Sequence, residues 1–198
     1  MVNALFIFDE TDKTKPKTIF TNNSAIRDEL NSRGIGFDNY SREDPRGTVS
    51  NLPNNELIDA IQQDFNLQHY DLGSIGPKSS DHYREVFNRN FQLHQHEHPE
   101  IRLFLNGGGA FGLSIGQWIA ICILGPGGFI NIPENTLHWF DYGEVSDSQK
   151  PIYEVIRFWK DIDLKASGMI PIPSHDKGDA KEWINDFPRY NELLKSLK

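Results

Sequence analysis

Histidines stand at alternate positions 94, 96 and 98 in the stretch "FQLHQHEHPEIRLFLNGGG" from 91 to 109, and Glu100 and Arg102 follow them. In an extended strand residues two apart point the same way, so His94, His96, Glu100, Arg102 and Phe104 can line a single interior. Two imidazole nitrogens and a carboxylate oxygen suit a first-row divalent metal, and such a site leaves coordination positions where non-haem iron enzymes bind substrate and oxygen. A fourth protein ligand would still leave two of them open. His98 has the same parity, so it competes with His96 for the second imidazole position. Pro99 bears on the choice: proline supplies no backbone donor and favours a bulge or bend between Glu97 and Glu100. Parity does not carry across such a bend, and His96 is taken as the ligand with His98 at the rim. A second segment, "GPGGFINIPENTLHWFDYG" from 125 to 143, holds an apolar strand, a Pro-containing turn, and His138 just after it.

The elements that must position these residues belong to a chain of 198 residues, long enough for one domain with a substantial core. Apolar residues at 37% and charged residues at 24% favour a folded globule. A formal charge of -8 and a pI near 5.3 argue against nucleic acid or an anionic membrane as partners. An anionic substrate would need local positive charge to overcome that field. The apolar run at 118 to 125 is too short to span a bilayer and the N-terminal stretch lacks a signal layout, so a cytoplasmic protein is expected. The single cysteine, Cys122, sits within that run and reads as a small buried hydrophobe.

"ALFIFDE" at 4 to 10 predicts a strand, closed by the charged turn "TDKTKPKT". Residues 22 to 34 predict a helix with Asn23 or Ser24 as N-cap and Gly34 as its stop. A polar connector follows from 41 to 51. Residues 54 to 65 place Leu57, Ile58, Ile61 and Phe65 on one helical face, and 79 to 91 predict a further helix. From 92 to about 158, short apolar segments separated by Gly, Pro and Asn have the pattern of an antiparallel sandwich or barrel. The tail, 159 to 198, reads as a loop followed by partly helical sequence. The division is therefore strand and helices over 1–91, a barrel core over 92–158 and a tail, all in one domain.

The two motif segments together resemble the cupin superfamily. Its first motif, HxHxxxE with a Gly after six further residues, is met by His94, His96, Glu100 and Gly107. The second, Gly, five residues, then PxGxxH, is met by Gly127, Pro133 and His138, with Asn135 where the family usually has Gly. Asn tolerates the left-handed backbone best after Gly, so the turn can survive the change. Within the cupins, "HQHEHPEIRLF" and "IPENTLHWFDYG" are similar to the acireductone dioxygenase family. The likeness extends more weakly to "LNSRGIGFDNY", "YEVIRFW" and "DFPRY", while the segment after Arg157 does not clearly reproduce the bacterial pattern.

The resemblance implies a mainly β fold with peripheral helices, a double-stranded β-helix or jelly-roll barrel. It implies one Fe(2+) or Ni(2+) per chain on His94, His96, Glu100 and His138, with no flavin, haem or nicotinamide. It also implies a monomer acting on a small-molecule acireductone and O2 in methionine salvage. Iron members cleave 1,2-dihydroxy-3-keto-5-methylthiopentene to formate and 4-methylthio-2-oxobutanoate. Nickel or cobalt members give formate, carbon monoxide and 3-methylthiopropionate.

Arg102 would neutralise the substrate anion, a salt bridge to an acidic neighbour being the alternative. Phe104 and Phe140 would wall the methylthio tail or serve as plain core. Arg157 would be a second pocket cation or half of a structural ion pair. Asp141 would anchor an outer hydrogen bond to the site or cap a turn. His69, His82 and His175 lie outside both motifs and read as structural or exposed. Two other readings stay open: a different metal-dependent cupin, either another dioxygenase or an isomerase, and a non-catalytic metal- or ligand-binding cupin.

Overall fold

Alternation of apolar side chains is strongest in the middle of the chain, and there the strands pair. In the computed structural model, residues 3–40, 56–76, 81–143, 153–161, 163, 168–175 and 178–198 are described. One seven-stranded sheet has the order β12 (Ile170–Pro171), β5 (His94–Gln95), β10 (Leu137–Asp141), β7 (Gly109–Ile115), β8 (Trp118–Leu124), β1 (Ala4–Asp9), β2 (Asp12–Phe20). A five-stranded sheet has the order β3 (Gly36–Asn39), β9 (Gly128–Ile132), β6 (Glu100–Gly107), β11 (Tyr153–Trp159), β4 (His69–Ile75). Within both sheets every paired neighbour runs antiparallel. A separate two-stranded ribbon joins β13 (Ser174–His175) to β14 (Gly178–Asp179).

The period of two sorts each strand into an inner and an outer face. In β8, Ala120, Cys122 and Leu124 join the inner core with Leu5, Phe111 and Phe140. The intervening Ile119, Ile121 and Ile123 pack outward against Trp183, Phe187 and Leu193 of α4 (Ala180–Asn185), α5 (Tyr190–Ser196) and the turn between them. Burial on both faces explains why β8 is apolar throughout, as a central strand should be. The outer face of the five-stranded sheet is covered by α2 (Glu56–Asp64), whose Leu57, Ile58 and Ile61 meet Ile101, Leu103 and Phe158. Each such side chain contributes about 1.5–3 kcal/mol by leaving water. The inner core also takes Ile26 and Leu30 of α1 (Asn23–Asn31) and Tyr83 and Val86 of α3 (Asp81–Asn90).

Several local expectations are corrected. The N-cap of α1 is Asn22, whose side chain accepts from the Ser24 and Ala25 N–H groups; Asn23 and Ser24 already lie in the first turn. The stretch from 11 to 18, expected as a turn, lies almost wholly within β2 (Asp12–Phe20). Its Pro16 sits at a register shift on the sheet's edge, where a missing N–H breaks no ladder bond. Strands β3 and β4, and the short pairings β12 to β14 in the tail, carry too little alternation to be read. The connector at 41 to 51 lies outside the described residues, as do the first residues expected of α2 and α3. Cys122 is fully buried, and burial pushes its thiol upward, away from the reactive thiolate.

Glycines of β7 have a packing role. A Cβ at Gly112 would lie 2.0 Å from the Trp139 ring, and one at Gly109 would lie 2.3 Å from that of Phe140. Both rings thus lie flat across β7 where its backbone is bare. At the turn before His138, Asn135 adopts φ 59°, the left-handed conformation expected of it, and its N–H bonds the His96 carbonyl at 2.8 Å. That bond ties the two motif segments together. Asn135→Gly should leave stability unchanged, whereas Asn135→Val should cost about 1–2 kcal/mol in urea unfolding, because a branched side chain resists this conformation.

Candidate metal centre

His94 on β5 and His138 on β10 are directly opposed in the antiparallel register, which brings their rings to 4.2 Å between centroids. Glu100 enters from the facing sheet at the first position of β6. His96 lies in the loop between β5 and β6, whose carbonyl is held by Asn135. Ligand atoms of His94, His96, Glu100 and His138 all lie within 4.8 Å of one another. His138 Nε2 is 2.7 Å from Glu100 Oε2, and His96 Nε2 is 3.3 Å from the same oxygen. His98 is buried with its ring 5.6 Å from that of His96, yet it stands outside the cluster of four. Burial, then the neighbouring His96 and Arg102, lowers its pKa.

The backbone orients these rings. His94 Nδ1 lies 2.6 Å from the Gln92 carbonyl and His138 Nδ1 lies 2.8 Å from that of Thr136. A carbonyl can only accept, so each Nδ1 carries the proton and each Nε2 turns a lone pair inward. For His138 that lone pair faces a carboxylate oxygen, an arrangement that calls for a cation between acceptors. Burial is the largest influence on His94 and lowers its pKa to about 3, which keeps the ring in the neutral form that a metal ligand requires. Burial works to raise Glu100, but the positive charge of Arg102 leads the influences that outweigh it and hold the carboxyl well below its usual range. Three neutral imidazoles and one carboxylate form a borderline donor set with a single negative charge, and these residues fit a first-row divalent ion.

The cluster opens on a cleft of about 790 Å³. Arg102, Phe104, Phe140 and Arg157 all line it. Arg102 Nη2 donates to Glu100 Oε1 at 2.9 Å and its Nη1 donates to the Ile101 carbonyl at 2.9 Å, so the salt bridge considered as an alternative is present within the site itself. Arg157 is held bidentately by Asp71 of β4, at 2.8 and 2.7 Å, and stacks its guanidinium 5.4 Å from the Trp159 centroid. Its charge is therefore compensated, although the side chain still forms cleft wall. Phe104 and Phe140 are buried with centroids 6.1 Å apart.

Asp141 makes no bond to the site. It faces outward and accepts from Arg189 Nε at 2.7 Å, from the Tyr190 N–H at 3.1 Å and from the Gly143 N–H at 2.8 Å, which fastens α5 to β10. His69 is half-buried at the start of β4, and the side chains of His82 and His175 are outside the described residues. Tyr153 on β11 and Arg89 on α3 also line the cleft and escaped sequence reasoning, while Trp159 on β11 and Gly168, Met169 and Pro171 fall in the 159–178 stretch whose part in the site the sequence left open. Parity with Arg157 could have revealed Tyr153 and Trp159; nothing local marks the rest. Among the described residues no helix is long and apolar enough to cross a membrane.

Comparison with known proteins agrees with this geometry. The acireductone dioxygenase of Marinobacter nauticus is 27% identical over 151 residues, covering 72% of this chain and 78% of that one. Acireductone dioxygenase 2 of Nocardia farcinica is 28% identical over 171 residues, covering 82% and 87%. Among solved structures, the acireductone dioxygenase from Bacillus anthracis with a cadmium ion in its active centre superposes with a TM-score of 0.61 at 18% identity, over 81% of this chain and 94% of that one. That likeness establishes the fold, a mainly β cupin barrel with peripheral helices. The sequence profile of the ARD/ARD' family matches residues 5–163, so the chain belongs to that family.

Proposed function

We propose that the protein is a metal-dependent acireductone dioxygenase of methionine salvage, holding one divalent ion, iron or nickel, on His94, His96, Glu100 and His138. The observation that carries this reading is the convergence of those four side chains at one end of a cleft that also presents Arg102. A bound ion supplies Lewis acidity toward an enediol and a route for electrons to dioxygen. The protein's part is binding and charge balance. One carboxylate on a divalent ion leaves a net positive charge, to which Arg102 adds a second, so an enediolate anion finds compensation despite the overall charge of -8. Phe104 and Phe140 offer an apolar wall to the remainder of the substrate and keep water from it.

Arg102→Met keeps the aliphatic stem and removes the guanidinium. Stoichiometric metal should remain after reconstitution, while the apparent KM should rise roughly tenfold to a hundredfold, the range of a charge-assisted hydrogen bond. An unchanged KM would remove Arg102 from substrate binding. The reading as a whole is tested by loading metal-free protein anaerobically with Fe(II) or Ni(II), then adding oxygen and 1,2-dihydroxy-3-keto-5-methylthiopentene. Formate with 4-methylthio-2-oxobutanoate is expected from the iron form, and formate, carbon monoxide and 3-methylthiopropionate from the nickel form. Stoichiometric metal binding without substrate consumption above the buffer rate would leave the cupin fold and sink the dioxygenase.

A further inference from the structure

One polar group that lines the cleft lacks a hydrogen-bond partner among the described residues. Tyr153 opens β11 and pairs with Gly107 at the far end of β6, while Arg157 pairs with Arg102 near its start. Four residues of strand therefore separate Tyr153 from Arg157, about 13 Å along the sheet. Tyr153 is only 8% exposed, and its ring sits 5.5 Å from Phe140 and 6.2 Å from Phe104, the two aromatics of the apolar wall.

Other tyrosines in this aromatic cluster have their hydroxyls occupied. Tyr83 donates to the Gly143 carbonyl at 3.0 Å, and Tyr142 donates to the Tyr83 carbonyl at 3.4 Å. The Tyr153 hydroxyl makes no hydrogen bond among the described residues, although its side chain lines the cleft. Phenylalanine would supply the same ring contacts, so what the tyrosine adds is a hydroxyl that reaches the cleft and can donate to a partner entering it. Burial raises the phenol's pKa, the largest influence on it, so it stays a neutral O–H donor.

We propose that Tyr153 reads the substrate's side chain: its hydroxyl donates to a sulfur or oxygen acceptor lying beyond the reacting carbons of an acireductone, and so favours tails that carry a heteroatom over hydrocarbon tails. The assignment rests on the dioxygenase reading and names the substrate class for that same site. A thioether sulfur is a weak acceptor and an ether oxygen a stronger one. Discrimination against a plain methylene therefore increases from sulfur to oxygen.

The test compares wild type and Tyr153→Phe, both loaded with the same ion, on three acireductones that differ at one tail atom: sulfur, oxygen or CH2. Anaerobic Kd, followed by substrate absorbance, and kcat/KM are measured for each, with the hydrocarbon tail as the internal reference. Tyr153→Phe should lower the ether-to-hydrocarbon ratio by about fivefold, the size of an ordinary neutral hydrogen bond, and the thioether ratio by a smaller factor. Ratios that stay the same in both measurements, with turnover intact, overturn the role of Tyr153 alone. Failure of the loaded wild type to consume any of the three overturns the dioxygenase reading and this assignment with it.

Discussion

Glu100→Gln should give a folded protein that does not retain stoichiometric divalent metal, with affinity lowered roughly a hundredfold or more. Outer-contact residues around metal sites already cost ten to a hundredfold when removed, and Glu100 is proposed to bind directly. The substitution is isosteric, so the β6 ladder and the position of the side chain should persist. What changes is charge: three neutral imidazoles and an amide leave the ion's two positive charges uncompensated beside the guanidinium of Arg102, 2.9 Å from the present carboxylate. Metal analysis after exhaustive dialysis, together with a thermal melt to show folding, makes the check. Full occupancy in the dialysed variant would remove Glu100 from the ligand set.

Gly112→Val should cost about 3 kcal/mol or more and yield largely insoluble protein. The added Cβ would fall 2.0 Å from Trp139, far inside contact distance, and Trp139 is itself pinned between β7 and the rings of Trp183 and Phe187 at 5.8 and 5.5 Å. Relief requires moving either the indole or the strand. Movement of the strand shifts β10, which pairs Trp139 with Gly112 and carries His138 one residue earlier. Soluble yield and urea midpoint against wild type report the effect, and a midpoint within experimental scatter of wild type would contradict this packing.

The candidate metal cluster was legible because chemistry of this kind is written locally. Two histidines and a glutamate on one parity, a turn, and a third histidine need little tertiary knowledge. The helix at 56–64 was likewise visible from one-sided apolar spacing, and those at 23–31 and 81–90 from the residues that cap them. β2 was not: with Lys13, Lys15, Pro16 and Lys17 it resembles a turn, and only pairing with β1 makes it a strand. β4 was not read because its residues carry too little alternation; in the structure its Gly73 leaves room for the Arg157 side chain, whose atoms would stand 3.1 Å from a Cβ there. The roles of Asp141 and Arg157 depend on partners 48 and 86 residues away, beyond the reach of any local pattern.

The clasp between Asp141 and Arg189 bears on the order in which the molecule can be assembled. β10 presents His138 to the interior and Asp141 to the exterior, and the exterior clamp comes from residues 48 places further along the chain. During synthesis, the strand carrying the third imidazole is left with an uncovered apolar back and a buried-type carboxylate lacking its partner until residues 180–196 have emerged. The covered back of β10 is therefore a feature that the growing chain lacks until its tail is made, well after the strand itself.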